Sequence, residues 1–225
     1  MDNTDKVLDH FESVSDAFDN VYGGKQDYAL YKLVDMFFRK SILEKRRKVM
    51  IEASGEIKNK TVLDIGCGSG RYALGLASKH PGQVLGIDIS PSMIGLARKM
   101  AEACGMDKVC KFQNIDFMDG NFRGNFDVIL AAGIFDYVKE PRQFLLKIRD
   151  LLKDKAIVSF PIKWTVMTPV RMAWLAKRKC PNYYYSKGQI KRLFNSCGLK
   201  ISSIRRIGSF FVPGNYVVIC KRREG

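Results

Sequence analysis

The sequence predicts an α/β domain built on a mostly parallel sheet with helices on both faces. Two observations lead there. After Lys60, short apolar runs alternate with longer amphipathic stretches along the chain. The first of these runs opens into three glycines and then directly into a helix, at Val62-Leu63-Asp64-Ile65-Gly66-Cys67-Gly68-Ser69-Gly70-Arg71.

The elements follow in order. Residues 1–56 lack strand-like alternation and form a helical N-terminal extension, broken at Gly23-Gly24 into helices over about 4–21 and 27–53. Leu30, Leu33, Val34, Phe37 and Phe38 recur on the face of the second helix. Residues 57–225 form the main domain. Thr61–Ile65 is a strand and Gly70–Lys79 a helix; Gln83–Ile87 is the second strand, and Ser90 caps a helix that starts at Pro91 and runs to about Ala103. Val109–Ile115, Phe126–Ala131 and Ala156–Phe160 are further strands, with a helix at about 141–152 before the last. A helix near Lys187–Cys197 and strands Lys200–Arg206 and Tyr216–Cys220 complete the chain, with an insert at 161–185.

Bulk properties bound the function. A chain of 225 residues holds one sizeable core. Its six cysteines are scattered without a C-x-x-C pair, and its two histidines, His10 and His80, lie far apart, so no metal site is expected. No apolar run has the length of a membrane-spanning helix, and the acidic start Met1-Asp2-Asn3-Thr4-Asp5 lacks a signal-peptide layout, which predicts a cytosolic protein. Charge is uneven: residues 1–138 carry 18 Lys+Arg against 19 Asp+Glu, whereas residues 139–225 carry 20 against 4. Such a field suits an acidic partner, whether a phosphorylated small molecule, an anionic membrane surface or nucleic acid.

The glycine turn departs from the dinucleotide fingerprint, since Arg71 stands where G-x-G-x-x-G/A needs a small residue. Asp64 before the turn also suits an ammonium better than a pyrophosphate. Asp88, at the end of the second strand in Gly86-Ile87-Asp88-Ile89-Ser90, is placed to accept from ribose hydroxyls. Asp116 ends the third strand and can accept from an adenine amino group, with Phe117 or Met93 covering the ring.

Asp64-Ile65-Gly66-Cys67-Gly68-Ser69-Gly70, followed by Asp88 and Asp116, resembles the class I S-adenosylmethionine-dependent methyltransferases over about residues 60–160. The resemblance implies a seven-stranded, doubly wound, mostly parallel sheet whose last strand runs antiparallel. It places Gly66, Gly68 and Gly70 around the methionine end of S-adenosylmethionine, Asp88 at the ribose hydroxyls and Asp116 at the adenine amine, with Cys67, Ile89 and Ala131 also among the cofactor-binding residues. Phe18-Asp19-Asn20-Val21-Tyr22-Gly23-Gly24-Lys25 resembles the lid of small-molecule methyltransferases, with Tyr22 closing over the cofactor.

The fourth strand ends in Ala131-Ala132-Gly133-Ile134-Phe135-Asp136-Tyr137, where small side chains leave room for a reacting methyl. Asp136 or Tyr137 would orient the acceptor there; the competing expectation is that Asp136 caps the next helix and Tyr137 packs. In the insert, Thr168-Pro169 opens a short basic helix, Val170–Lys179, bearing Trp174, suited either to a substrate lid or to a membrane interface. The function expected is methylation of a small-molecule or lipid-linked, anionic acceptor. The alternatives are an RNA methyltransferase working through the basic C-terminal part and a non-catalytic S-adenosylmethionine-binding protein. The strand end Ala-Ala-Gly-Ile-Phe disfavours adenine-N6 methylation, and Cys180-Pro181 reverses the Pro-Cys order of many cytosine-C5 enzymes.

Overall fold

A computed structural model describes residues 30–122, 124–166, 183–209 and 214–223, with side chains from Ser41 onward. The expected first helix, Tyr22 and the Val170–Lys179 helix with Trp174 lie outside the described residues.

Among the described residues, helices and strands follow in this order: α1 (Leu30–Ala53), β1 (Thr61–Ile65), α2 (Arg71–Ala77), β2 (Gln83–Asp88), α3 (Pro91–Ala103), β3 (Cys110–Asn114), β4 (Phe126–Ala131), α4 (Pro141–Leu151), β5 (Leu152–Pro161), α5 (Lys187–Ser196), β6 (Leu199–Ile207) and β7 (Asn215–Arg222). The strands form one seven-stranded sheet in the order β3-β2-β1-β4-β5-β7-β6. β1 through β5 pair in parallel, and β7 runs antiparallel between β5 and β6. The expected architecture, with its antiparallel last strand, is what the chain adopts.

The strands read as continuous apolar runs because both faces of the sheet are covered. Leu63, Ile129, Ala131, Val158 and Phe160 enter the core under α4 and α5, while Val62, Val128, Leu130 and Ile157 enter the core under α1, α2 and α3. The period of two along each strand thus feeds two cores. Phe160, fully buried between Phe135, Tyr185 and Phe194, is worth roughly 2–3 kcal/mol by area alone. Met50 of α1 is also fully buried, so the N-terminal helix shares the second core.

Helix starts follow the local chemistry. Ser90 Oγ accepts from the Met93 N–H at 3.2 Å with Pro91 in the first turn of α3, and Ser186 and Gln189 form a reciprocal capping box on α5. α4 differs from expectation. Its N-cap is Glu140, without a side-chain cap bond, so Asp136 does not cap this helix. β5 starts at Leu152, earlier than the apolar run implies, through a register shift against β4 between Phe126 and Val128. No described helix is long and apolar enough to cross a membrane.

Candidate functional site

The glycine bend leaves β1 at its C-terminal tip. Gly66, Gly68 and Gly70 have φ of 66°, 52° and 80°, left-handed values that cost an L side chain roughly 1–2 kcal/mol each. Their surroundings differ. A Cβ on Gly70 would press on Phe112 and Ala97 at 3.0 and 3.1 Å, so this glycine lets α2 and α3 close on the sheet. A Cβ on Gly68 would meet nothing within 4 Å, so its backbone faces open space where a ligand can approach.

Three carboxylates stand at or next to the C-terminal ends of successive strands. Asp88 accepts from the Gly68 N–H at 2.8 Å through Oδ2 and from the Ser90 N–H at 3.0 Å through Oδ1, which ties β2 to the bend. Asp116 follows β3 directly. Its strand tip is joined to that of Asp88, whose carbonyl accepts from the Ile115 N–H at 3.0 Å and from the Asn114 side chain. Asp64 is only 1% exposed, and neither of its oxygens has a donor in hydrogen-bonding geometry. Burial and then the Asp88 charge push its pKa up to about 8, with the Ala73 backbone N–H pulling weakly the other way. A charged carboxylate buried this deeply is costly unless a cation reaches it. The ammonium of an amino-acid ligand would supply such a cation, so the residues present fit a cofactor with an amino-acid end.

The remaining expected cofactor residues divide. Cys67 is buried, its thiol directed to the Gly68 carbonyl at 3.6 Å and its pKa raised by burial and by the charges of Asp64 and Asp88. Ile89 is half-buried beyond Asp88, and Ala131 is fully buried at the β4 tip, paired with Ile65. Met93 and Phe117 are each 3% exposed. The Phe117 ring packs, tilted, against Phe144 at 4.6 Å and Phe122 at 5.7 Å, as part of the core. Two surface grooves, between α1 and α2 at Ile51 and Gly75 and on the β2–β3 face at Leu85 and Gln113, include none of the three carboxylates.

On the other side of the bend, β4 runs into Gly133, whose N–H donates to Ser159 Oγ at 2.8 Å. Asp136 is 7% exposed, and its carbonyl accepts from the Tyr183 N–H at 2.9 Å. Tyr185 pairs with Ile162 beyond β5. Burial, the Asp136 charge and Tyr183 hold its phenol well above the ordinary range. Asp136 and the returning end of the insert therefore form one wall, with Tyr137 half-buried beside it.

Sequence reasoning missed Arg46. It sits in α1 within Lys45-Arg46-Arg47-Lys48, yet it alone of the four is buried, at 9% exposure. Its guanidinium donates to the Tyr72 hydroxyl at 3.0 Å and to Asn215 Oδ1 at 3.3 Å, and both terminal nitrogens lie 3.2 Å from where a Cβ on Gly133 would stand. A buried cation thus borders the start of α2 and the β4 tip. A run of four basic residues gives no signal of which one turns inward.

A family model described as a methyltransferase domain matches residues 56–197. The chain is 32% identical over 103 residues to a ubiquinone biosynthesis O-methyltransferase of Coxiella burnetii, covering 46% of this chain and 43% of that one. Over 91 residues it is 32% identical to ajmaline N-methyltransferase of Rauvolfia serpentina, covering 40% and 31%. The match to a protein-lysine N-methyltransferase of Saccharomyces cerevisiae is 34% over 83 residues, 36% of each chain. The chain thus spans less than half the length of these relatives, whose acceptors differ. Among solved structures, magnesium protoporphyrin IX methyltransferase from Synechocystis PCC 6803 with bound SAH superposes with a TM-score of 0.77 at 20% identity, over 98% of this chain and 100% of that one. The [4+2]-cyclase SpnF superposes at 0.76 and 16% identity, over 97% and 96%. At such identities the likeness is one of fold.

Proposed function

Because the chain belongs to the methyltransferase-domain family, we propose that it transfers a methyl group from S-adenosylmethionine to a small-molecule or lipid-linked, anionic acceptor. The observation that carries this reading is the deeply buried carboxylate of Asp64 beside a glycine bend that Asp88 holds by hydrogen bond.

The cofactor supplies a methyl on a sulfonium, open to in-line displacement. The chain's own groups do the holding. Asp64 takes the ammonium, and the Gly68 backbone lets the amino-acid end approach without a Cβ in the way. Arg46, the buried cation bordering the bend, takes the carboxylate. Asp88 accepts from the ribose hydroxyls and Asp116 from the adenine amine. In-line transfer depends chiefly on positioning and on excluding water. Asp136 and Tyr137 orient the acceptor at the β4 tip. An acceptor that is already nucleophilic needs no further base.

The acceptor class rests on the surface near that tip. Trp164 and Val166, just beyond β5, are 71% and 53% exposed, and the Lys163 ammonium lies 5.4 Å from the Trp164 ring centre. An exposed indole beside a cation suits an amphiphilic, anionic acceptor or the lipid surface that holds it.

The test is calorimetry with S-adenosylhomocysteine, followed by turnover of methyl-labelled cofactor in a cell extract. Micromolar binding and label in an acidic, organic-soluble product are expected. No binding would end the cofactor reading. Label confined to RNA would instead select the nucleic-acid alternative, and binding without turnover the non-catalytic one.

A further inference from the structure

Resting on the assignment of Asp116 to the adenine amine, we propose that Lys147 of α4 is the positioning residue that sets the chain's preference for adenine. After β3 the chain makes a single helical turn, Asp116–Gly120, closed by the Gly120 N–H on the Asp116 carbonyl at 2.9 Å. Asp116 Oδ1 is tied inside this turn by the Met118 N–H at 2.7 Å, which leaves Oδ2 for an incoming donor. So short a turn has no following amides for its last carbonyls, and its geometry needs an outside donor. Lys147 is that donor. Its ammonium donates to the Met118 carbonyl at 2.7 Å and the Gly120 carbonyl at 2.8 Å, and lies 5.4 and 5.5 Å from the ring centres of Phe117 and Phe122. One turn earlier on α4, Phe144 packs on the Phe117 ring. Helix α4 therefore clamps the Asp116 turn twice, by ring and by ammonium.

Adenine recognition through one amine depends on the angle at which the carboxylate meets it, because hydrogen bonds weaken steeply off axis. A turn held by four contacts from one side chain fixes that angle. Without the ammonium, two carbonyls turn toward water and the Asp116 turn loosens while the strand behind it stays in register.

The experiment compares S-adenosylhomocysteine with S-inosylhomocysteine, in which a carbonyl replaces the adenine amine, by calorimetry on the full chain. The wild-type protein prefers the adenosyl compound. Lys147→Met keeps the aliphatic stem; it is expected to weaken adenosyl binding by tenfold or more and inosyl binding by less than twofold, erasing the preference. Lys147→Arg, which can reach both carbonyls, restores it. Parallel weakening of both ligands would reduce Lys147 to a structural role and overturn the proposal, as would an unchanged preference. Asp116→Asn separates the two layers. If it keeps the preference, the adenine assignment falls; if it loses the preference while Lys147→Met keeps it, the Lys147 proposal alone falls. Melting temperatures confirm that each variant is folded.

Discussion

Asp88 Oδ2 accepts a hydrogen bond from the Gly68 N–H at 2.8 Å, across 20 residues of sequence. One carboxylate therefore both shapes the bend and, in the proposed function, receives the ribose. Asp88→Ala removes both roles and is expected to weaken S-adenosylmethionine binding by more than tenfold, about 1.4 kcal/mol or more. Asp88→Asn keeps an oxygen for Gly68 and should lose less. Unchanged affinity in the alanine variant would remove Asp88 from the site.

Asp64 predicts an unusual pH dependence of binding. With its pKa raised to about 8, the ligand-free protein carries it protonated at neutral pH, whereas a ligand ammonium needs it charged. Below pH 8 binding must release that proton, so affinity should rise by up to tenfold per pH unit toward 8. Above pH 8 Asp64 is already charged, so the rise should level off, and affinity should fall only once the ligand's own ammonium loses its proton. Asp64→Asn should weaken binding and flatten the acid limb. Stability obeys the same linkage: the folded state holds an extra proton between the unfolded carboxyl value near 4 and about 8, so this group subtracts stability as pH rises through that window. Relative to wild type, the unliganded asparagine variant should therefore melt progressively higher toward pH 8. Parallel melting curves at every pH would show that Asp64 is not shifted.

Gly68 and Gly70 should fail differently when substituted. Gly70→Ala puts a Cβ 3.0–3.1 Å from Phe112 and Ala97 in a left-handed conformation, so overpacking adds to strain and stability should drop by about 2–4 kcal/mol. Gly68→Ala meets open space and should cost only the conformational strain of about 1–2 kcal/mol, yet its methyl stands in the ligand's approach. Thermal melting is expected to single out Gly70→Ala, and calorimetry Gly68→Ala. Equal loss of stability in both would mean that the bend is purely structural.

The contrast between these glycines marks how far the sequence could be read. β1 and β4 occupy the spans that the apolar runs predict, because each run is buried on both faces of the sheet. β5 starts before its apolar run because Lys153, Asp154 and Lys155 look like loop; only pairing across the sheet explains them, with Lys60 and Lys221 each 3.2 Å from Asp154. Asp64 and Asp88 lie in the last two residues of β1 and β2 and Asp116 just past β3, positions that the apolar runs before them already mark. Local sequence does not reveal where the Phe117 ring points, since Phe144 and Phe122 decide it. Arg46 and Tyr185 were beyond reach for the same reason: Arg46 meets Asn215 across 169 residues, and Tyr185 feels Asp136 from the far end of the insert.

Arg46 gives the sharpest test of the amino-acid end. In the fold it fastens α1 to Tyr72 and Asn215; in the proposed function it also receives the cofactor carboxylate. A guanidinium suits both, having several donors in a fixed plane. Arg46→Met keeps the stem and removes the charge. If the carboxylate binds there, affinity for S-adenosylhomocysteine should fall by tenfold or more, while 5′-methylthioadenosine, which lacks the amino-acid end, should bind as it does to wild type. If instead Arg46 only holds α1 in place, both ligands should weaken together as the bend loosens. Arg46→Lys retains the charge but not the planar fork, and should recover part of the S-adenosylhomocysteine affinity only if the carboxylate contact is real.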